Sequence, residues 1–547
     1  MADGREPATG ISFRRLFPWT DIFRCFQVAL DPRKLAIAAL GILAMSIGWW
    51  CLSYLFYYDP PTENDDKYTP TVVSQDYKSK PGMNEPYTEA ELKVKGYEQF
   101  LADKQRWRVL NELAGPNGQG RLRTMPWDEY RGPNPYLFVT HLLGGSAVER
   151  SDAIRQFLVG SVPVLVEPLI KFLVPVSKLF SPDASFWTRL YLVLAILWFL
   201  AVWGFAGGVI TRLAAVSLTN KGPVTLKQAV RFVCTRYINY FMAPLVPLII
   251  IAAVVVGLIV YGFLSLIPIL GDVVLLGLGL PLVIAAGAVM SIFLIGLVGY
   301  PLMYTSLSTE GDSSDTFDAL SRSINYVYQA PWHYIWYGLV TVAYGAIVTF
   351  FVLFFVSLSV YLGKWAISQT PLTETFNRKP DYLFVWAPQS FGWQELLLKG
   401  SPAAVRLNEV TTDSDRKVLT FKPENPEKRR EFRNQFYFYN VAGAGLVALW
   451  LTIIFLLMLG FTYSFYWSAA TMIYLLMRKK VDEADLDEIF MESEESEAPL
   501  PPPVPVAAPS SKTSLEVLPT PPVSPPATIP FSPPATELPS GNGTPGV

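Results

Sequence analysis

The chain has 547 residues, 51% of them hydrophobic and 16% charged, with a formal net charge of −2 and a mean hydropathy of +0.30. Soluble domains carry about 25% charged residues, so this composition excludes an ordinary soluble protein. The charges are missing from long blocks, each able to supply the about 20 apolar residues that a bilayer-spanning helix needs.

Residues 1–34 read as an amphipathic cytoplasmic segment holding Arg14, Arg15, Arg24, Arg33 and Lys34. Span 1 covers 35–58 and ends in Trp49, Trp50, Tyr54, Tyr57 and Tyr58, an aromatic belt suited to the headgroup layer. Its length and its lack of a small-residue cleavage site favour a retained anchor over a signal peptide. Residues 59–189 form the first extracytoplasmic segment. Thr88 and Glu91 open a helix there as a capping box, and Gly115-Pro116 closes it. The run from Gly115 to Gly120 lacks the Lys-Ser/Thr of a phosphate loop and reads as a turn.

Within that segment, residues 157–180 are apolar but contain Glu167, Lys171, Lys178, Pro168 and Pro175. Crossing a bilayer with those charges is costly, so this stretch is expected to lie along the membrane surface as an interfacial helix. A four-span core follows over 190–363. Its first loop, 211–242, holds Arg212, Lys221, Lys227, Arg231 and Arg236 and no acidic residue, which places it in the cytoplasm. A second extracytoplasmic segment occupies 364–439. Span 6 covers 440–477, inside an uncharged block whose length as one helix would be about 66 Å. Arg478, Lys479 and Lys480 pin its end in the cytoplasm. Residues 478–547 carry an acidic run and then proline-rich sequence, expected to be a disordered cytoplasmic tail.

The predicted fold class is therefore all-α integral membrane: a six-helix polytopic bundle with two extracytoplasmic segments and a disordered tail. Both termini are expected in the cytoplasm, and the implied location is a bacterial inner membrane.

An internal repeat stands out. Arg236, Asn239, Tyr240 and Pro244 in RYINYFMAP have counterparts in Arg322, Asn325, Tyr326 and Pro331 of RSINYVYQAP. Each copy follows a Ser-Leu-rich span exit and precedes another span. The two units begin two spans apart and share one orientation, which implies a parallel repeat.

Chemistry-bearing residues are sparse. Cys25, Cys51, Cys234, His141 and His333 are scattered singly, without metal-ligand spacing. Glu310, Asp312, Asp315, Asp318 and His333, with Arg322 among them, form the one polar cluster that could hold a divalent cation or serve acid–base chemistry. The alternative is that its carboxylates serve a helix N-terminus. No cofactor is expected, and no nucleic-acid partner. The expected partners are the lipid bilayer, other membrane proteins and a reader of the proline-rich tail.

RRLFPWTDIFRCFQVALDPRKLAIAALG, GVITRLAAVSL, YPLMYTSLSTEGDSSDTFDALSRSINYVYQAPWHY, WAPQSFGWQELL and YLLMRKKVDEADLDEIFM resemble segments of a group of uncharacterised multi-pass membrane proteins from planctomycete-type bacteria. That resemblance implies a membrane fold and brings no activity or catalytic residues. A looser likeness links the chain to membrane regions that accompany glycerophosphodiester phosphodiesterases, whose catalytic domain is not visible here. Three functions follow in order of expectation: a non-enzymatic envelope scaffold or assembly protein, a lipid or small-molecule transporter built on the repeat, and an enzyme using the Glu310–His333 cluster.

Overall fold

The computed structural model describes residues 17–56, 61–77, 86–114, 122, 124–311, 314–371, 380–411 and 417–491. The helices used below are α1 (Pro32–Phe56), α2 (Glu89–Ala114), α3 (Pro135–Gly144), α4 (Ala147–Gly160), α5 (Glu167–Leu179), α6 (Phe186–Thr219), α7 (Leu226–Thr235), α8 (Tyr237–Met242), α9 (Leu245–Leu264) and α10 (Leu280–Gly296). They continue as α11 (Tyr300–Glu310), α12 (Thr316–Gln329), α13 (Pro331–Ser368), α14 (Trp393–Leu398), α15 (Pro426–Asn434) and α16 (Phe438–Val481). An antiparallel hairpin of β1 (Val405–Thr411) and β2 (Lys417–Pro423) is the only sheet among the described residues.

The chain is an all-α, multi-pass membrane protein. Among the described residues, seven helical stretches are long and apolar enough to cross a bilayer: α1, the α4–α5 stretch, α6, α9, α10–α11, α13 and α16. Six spans were expected, and the seventh is Ala147–Leu179, which contains the segment assigned above to the membrane surface.

Its path follows from its neighbours. Helices α1 and α6 run antiparallel: Gly41 packs against Ala206, Trp49 Nε1 donates to the Ala195 carbonyl at 2.9 Å, and Phe56 meets Tyr191 at 5.4 Å. The chain between Phe56 and Phe186 therefore leaves and rejoins the bundle at the same end, and a single crossing within it is ruled out. Helix α4 descends past Phe350, where Phe157 lies 5.6 Å from its ring. The chain breaks over Val162–Val166 as a short 3-10 turn beside Gly345. Helix α5 returns along α6, with Phe172 5.6 Å from Phe199. At 1.5 Å per residue, Phe199 lies about 20 Å along α6. The stretch 147–179 is thus a re-entrant hairpin that dips into the bundle and comes back. Leu165, Phe172 and Val176 are buried rather than facing headgroups.

Non-helical backbone at membrane depth is tolerated where protein surrounds it. Here Ser161 Oγ donates to the Arg131 carbonyl at 3.2 Å, and Gly160 lies against Gly132 with no room for a Cβ. At the same end, the two segments outside the spans close over the bundle. The Gln389 and Ser390 amides both donate to the Trp127 carbonyl at 2.9 Å. Asn134 Nδ2 donates to the Phe391 carbonyl at 3.1 Å, and Trp393 Nε1 donates to Ser357 Oγ of α13 at 3.0 Å. Gly392 has φ +60, and a Cβ there would lie 2.9 Å from the Asn134 nitrogen, so only glycine fits this turn. The 44-residue α16 extends beyond the bundle core and is covered by this cap, with Phe455 against Phe391 and Trp393.

The opposite end gathers residues 17–34, the α6–α7 turn, the α11–α12 turn and the end of α16. Ser464 Oγ donates to the Ala29 carbonyl at 2.8 Å, and Arg24 donates to the Leu218 carbonyl at 3.1 Å. The tail, expected to be disordered from residue 478, instead continues α16 to Val481 and then docks over 482–490. Leu486, Ile489 and Phe490 give that acidic segment apolar anchors against the bundle. The rest of the proline-rich tail, 492–547, lies outside the described residues.

Candidate functional site

Glu167 and Lys171 sit four residues apart on one face of α5, both almost fully buried. The loop that precedes α3 brings Glu129 and Arg131 to them. Arg131 Nε donates to Glu167 Oε2 at 3.0 Å, and its Nη2 reaches Glu167 Oε1 at 2.9 Å and also Glu129. Lys171 Nζ lies 3.3 Å from Glu129 Oε2 and also contacts Glu167. Arg131 Nη1 additionally donates to Ser390 Oγ at 3.1 Å, tying the quartet to the cap. Burial works against the Arg131 charge, but the flanking carboxylates of Glu129 and Glu167 outweigh it and hold its pKa above the usual arginine value. Two acids against two bases leave the quartet neutral. A buried ion pair is tolerated only with such dense partnering.

Tyr463 of α16 stands beside Glu167. From Tyr463, a column of aromatic side chains continues down the bundle axis. Trp203 stacks on Tyr463 at 4.9 Å, Trp467 on Tyr304 at 5.2 Å, and Tyr240 meets Tyr304 edge-on at 5.7 Å. Below them, Ser308 Oγ is shared by Thr211 at 2.7 Å and Tyr240 at 2.8 Å. Tyr474 Oη donates to Ser306 Oγ at 3.3 Å and to Glu310 at 3.2 Å.

The residues singled out in the sequence fall as follows. Glu310 pairs with Arg478 at 2.8 Å and Arg322 at 3.4 Å. Asp315 caps α12, accepting from the amides of Phe317 and Asp318 at 2.9 Å each. Asp318 lies in the first turn of that helix. His333 lies in the first turn of α13 with its ring 6.2 Å from Tyr337, and Asp312 lies outside the described residues. Among the described residues, no three His, Cys, Asp or Glu side chains are grouped to hold a metal ion.

The repeat positions share one end of the bundle. Helices α6 and α11 both stop at a residue with positive φ, Asn220 at 54° and Gly311 at 60°, before a capped surface helix. Thr225 caps α7 through a capping box with Gln228, and Asp315 caps α12. Arg236 lies over Phe232 at 4.0 Å, whereas Arg322 pairs with Glu310. Asn239 accepts from Thr316 Oγ1 at 3.2 Å, joining the copies, while Asn325 accepts from Gln329 at 2.8 Å. Pro244 precedes α9 and Pro331 begins α13. Phe232, Tyr240 and Tyr326 are buried in the bundle, whereas Phe317 is exposed.

The quartet itself escaped the sequence reading. Nothing in the local sequence singles out Glu129 or Arg131, and the charges of Glu167 and Lys171 read locally as a bar to crossing the membrane. The available signal was the i,i+4 spacing of the latter two with opposite signs. Comparison of the chain with known protein families, with curated proteins and with solved structures returned no match.

Proposed function

We propose that this chain is a non-enzymatic scaffold or assembly protein of the bacterial cytoplasmic membrane, its bundle serving as a rigid base for the cap at one end and the tail at the other. The observation that carries this reading is the filled axis: Trp203, Tyr300, Tyr304, Tyr463 and Trp467 are fully buried and in ring contact with one another. Packing of this kind favours a fixed structure over one that opens for a bulky solute. The orientation rests on basic residues. The end bearing Arg24, Arg33, Arg212, Lys221, Arg236, Arg322 and Arg478 is assigned to the cytoplasm by the positive-inside rule.

A second reading, a transporter, draws support from the re-entrant hairpin and its buried charges, since intramembrane ionisable groups commonly mark transport paths. One experiment separates the two. The tagged full chain is cross-linked in native membranes and purified, and the purified chain is reconstituted into vesicles containing fluorescent phospholipid. The scaffold reading expects a defined membrane-protein partner, lost when residues 492–547 are removed, and no lipid movement above that in empty vesicles. A chain that purifies alone and scrambles lipid overturns it.

A further inference from the structure

We infer that this protein pairs with a second copy of itself through the outer half of α16, an assembly step beyond either reading above. Two lengths inside the bundle fix where that half lies. Helix α13 runs about 39 Å from Pro331 at the basic end to Ser357, whose Oγ accepts from Trp393 of the cap at 3.0 Å. Helix α16 runs about 35 Å from Arg478 back to Phe455, which lies 6.5 Å from the same Trp393 ring. Both lengths exceed the about 30 Å of a bilayer's hydrocarbon, and a tilt of about 20° shortens them too little to change that. With Arg478 at one edge of the hydrocarbon, the cap therefore begins beyond the other edge. Helix α16 nevertheless continues about 25 Å past Phe455, to Phe438.

That outer stretch has the composition of a membrane span in a place without lipid tails. No charged residue occurs from Phe438 to Met477. The cap covers one face: Ala444 and Leu451 are buried, and a Cβ on Gly443 would lie 3.5 Å from Leu383. The other face is bare. Phe438 is 88% exposed, Trp450 64% and Leu446 61%, with Leu449 and Ile453 beside them. Ala442, Leu446, Leu449 and Ile453 recur at the i, i+4, i+7, i+11 spacing of a two-helix contact. Helices α9 and α10 also expose apolar faces, but they are no longer than a crossing, so lipid covers them. Outside the hydrocarbon, a contiguous apolar face marks a protein contact.

Charge and height select the occupant. A matching surface has to be uncharged, apolar and held at the same level outside the membrane. The same face of a second copy meets all three conditions. Two copies in one bilayer share one orientation, so each residue of α16 meets its own counterpart across a two-fold axis. The helices can approach closely at Ala442 and Gly445, since a Cβ on Gly445 would meet nothing within 4 Å. Aromatic side chains hide about 150–250 Å² each. Phe438, Tyr439 and Trp450 with Leu446, Leu449 and Ile453 thus offer an area on the order of the about 800 Å² per partner of a stable interface.

The test is disulfide trapping of the full chain in native membranes. Cys25, Cys51 and Cys234 are changed to serine, and Ala442→Cys, Leu449→Cys or Ala448→Cys is introduced singly before oxidation with copper phenanthroline. Ala448 is the control, one residue before Leu449 and about 100° round the helix. Ala442→Cys and Leu449→Cys should each give a band of two chains several-fold stronger than Ala448→Cys gives. Adding Leu446→Glu to Leu449→Cys sets like charges against each other across the pair and should weaken the band several-fold. Leu446 is exposed in the single chain, so folding is expected to survive, and an unchanged melting curve in a detergent that separates the copies verifies this. Equal trapping at all three positions overturns the pairing, as does a band whose mass matches one chain joined to a different protein. So does a Leu446→Glu variant that traps as strongly as its parent.

Discussion

Each member of the quartet is held by the other charges, so removing one strands its partner in a low-dielectric core. Breaking a buried pair this way typically costs about 3–5 kcal/mol, whereas replacing both partners together costs far less. Arg131→Met and Glu167→Gln are therefore each expected to lower the chain's thermal stability sharply in detergent. The double variant should lose clearly less than the sum of the two, and strict additivity in the melts would show that the contacts are not coupled. A second residue-scale effect concerns Glu395 in the cap. Burial pushes its carboxyl above the usual glutamate range, and Lys399 and Arg406 only partly offset this. A carboxyl whose folded pKa is raised contributes stability below its unfolded pKa and loses it as pH rises through the folded value. Cap stability is thus expected to fall from acid towards neutral pH, and Glu395→Gln should flatten that slope. An unchanged slope in pH-dependent melts would assign it to another group.

At the scale of elements, the docked strip 482–490 depends on one glycine. Gly311 has φ 60° and ψ −126°, a conformation open to glycine alone, and a Cβ there would sit 2.1 Å from the Phe490 ring. Phe490 is held by its amide donating to the Thr309 carbonyl at 2.7 Å and by its carbonyl accepting from Arg212 at 2.9 Å. Gly311→Ala is expected to release the strip, so that a protease cutting after acidic residues cleaves at 482–490 several-fold faster. Equal cleavage rates would mean that the anchoring lies elsewhere. The crossing helices were legible in the sequence because each is a long uncharged block, and the surface helices α7 and α12 because their caps and apolar faces are local. The re-entrant hairpin was not. Glu167 and Lys171 look prohibitive in any local window, and their compensation comes from Arg131 and Glu129, 36 and 42 residues upstream. The docked strip was masked by its five acidic residues, Asp482, Glu483, Asp485, Asp487 and Glu488, although Leu486, Ile489 and Phe490 among them supplied an apolar signal.

For the whole molecule, the arrangement rests on one claim: the seven membrane-length stretches make six crossings, because Ala147–Leu179 returns to the end from which it starts. Single cysteines placed at Ser146 and Ser181, in a chain whose Cys25, Cys51 and Cys234 have been changed to serine, test it directly. Intact cells with permeabilised outer layers are treated with a membrane-impermeant maleimide, and labelling is compared with that of inverted membrane vesicles. Both positions are expected to label from the same side, the side on which a cysteine at Gly400 also labels, and a cysteine at Lys221 only from the other. Labelling of Ser146→Cys and Ser181→Cys from opposite sides would make the hairpin a true seventh span and contradict the account.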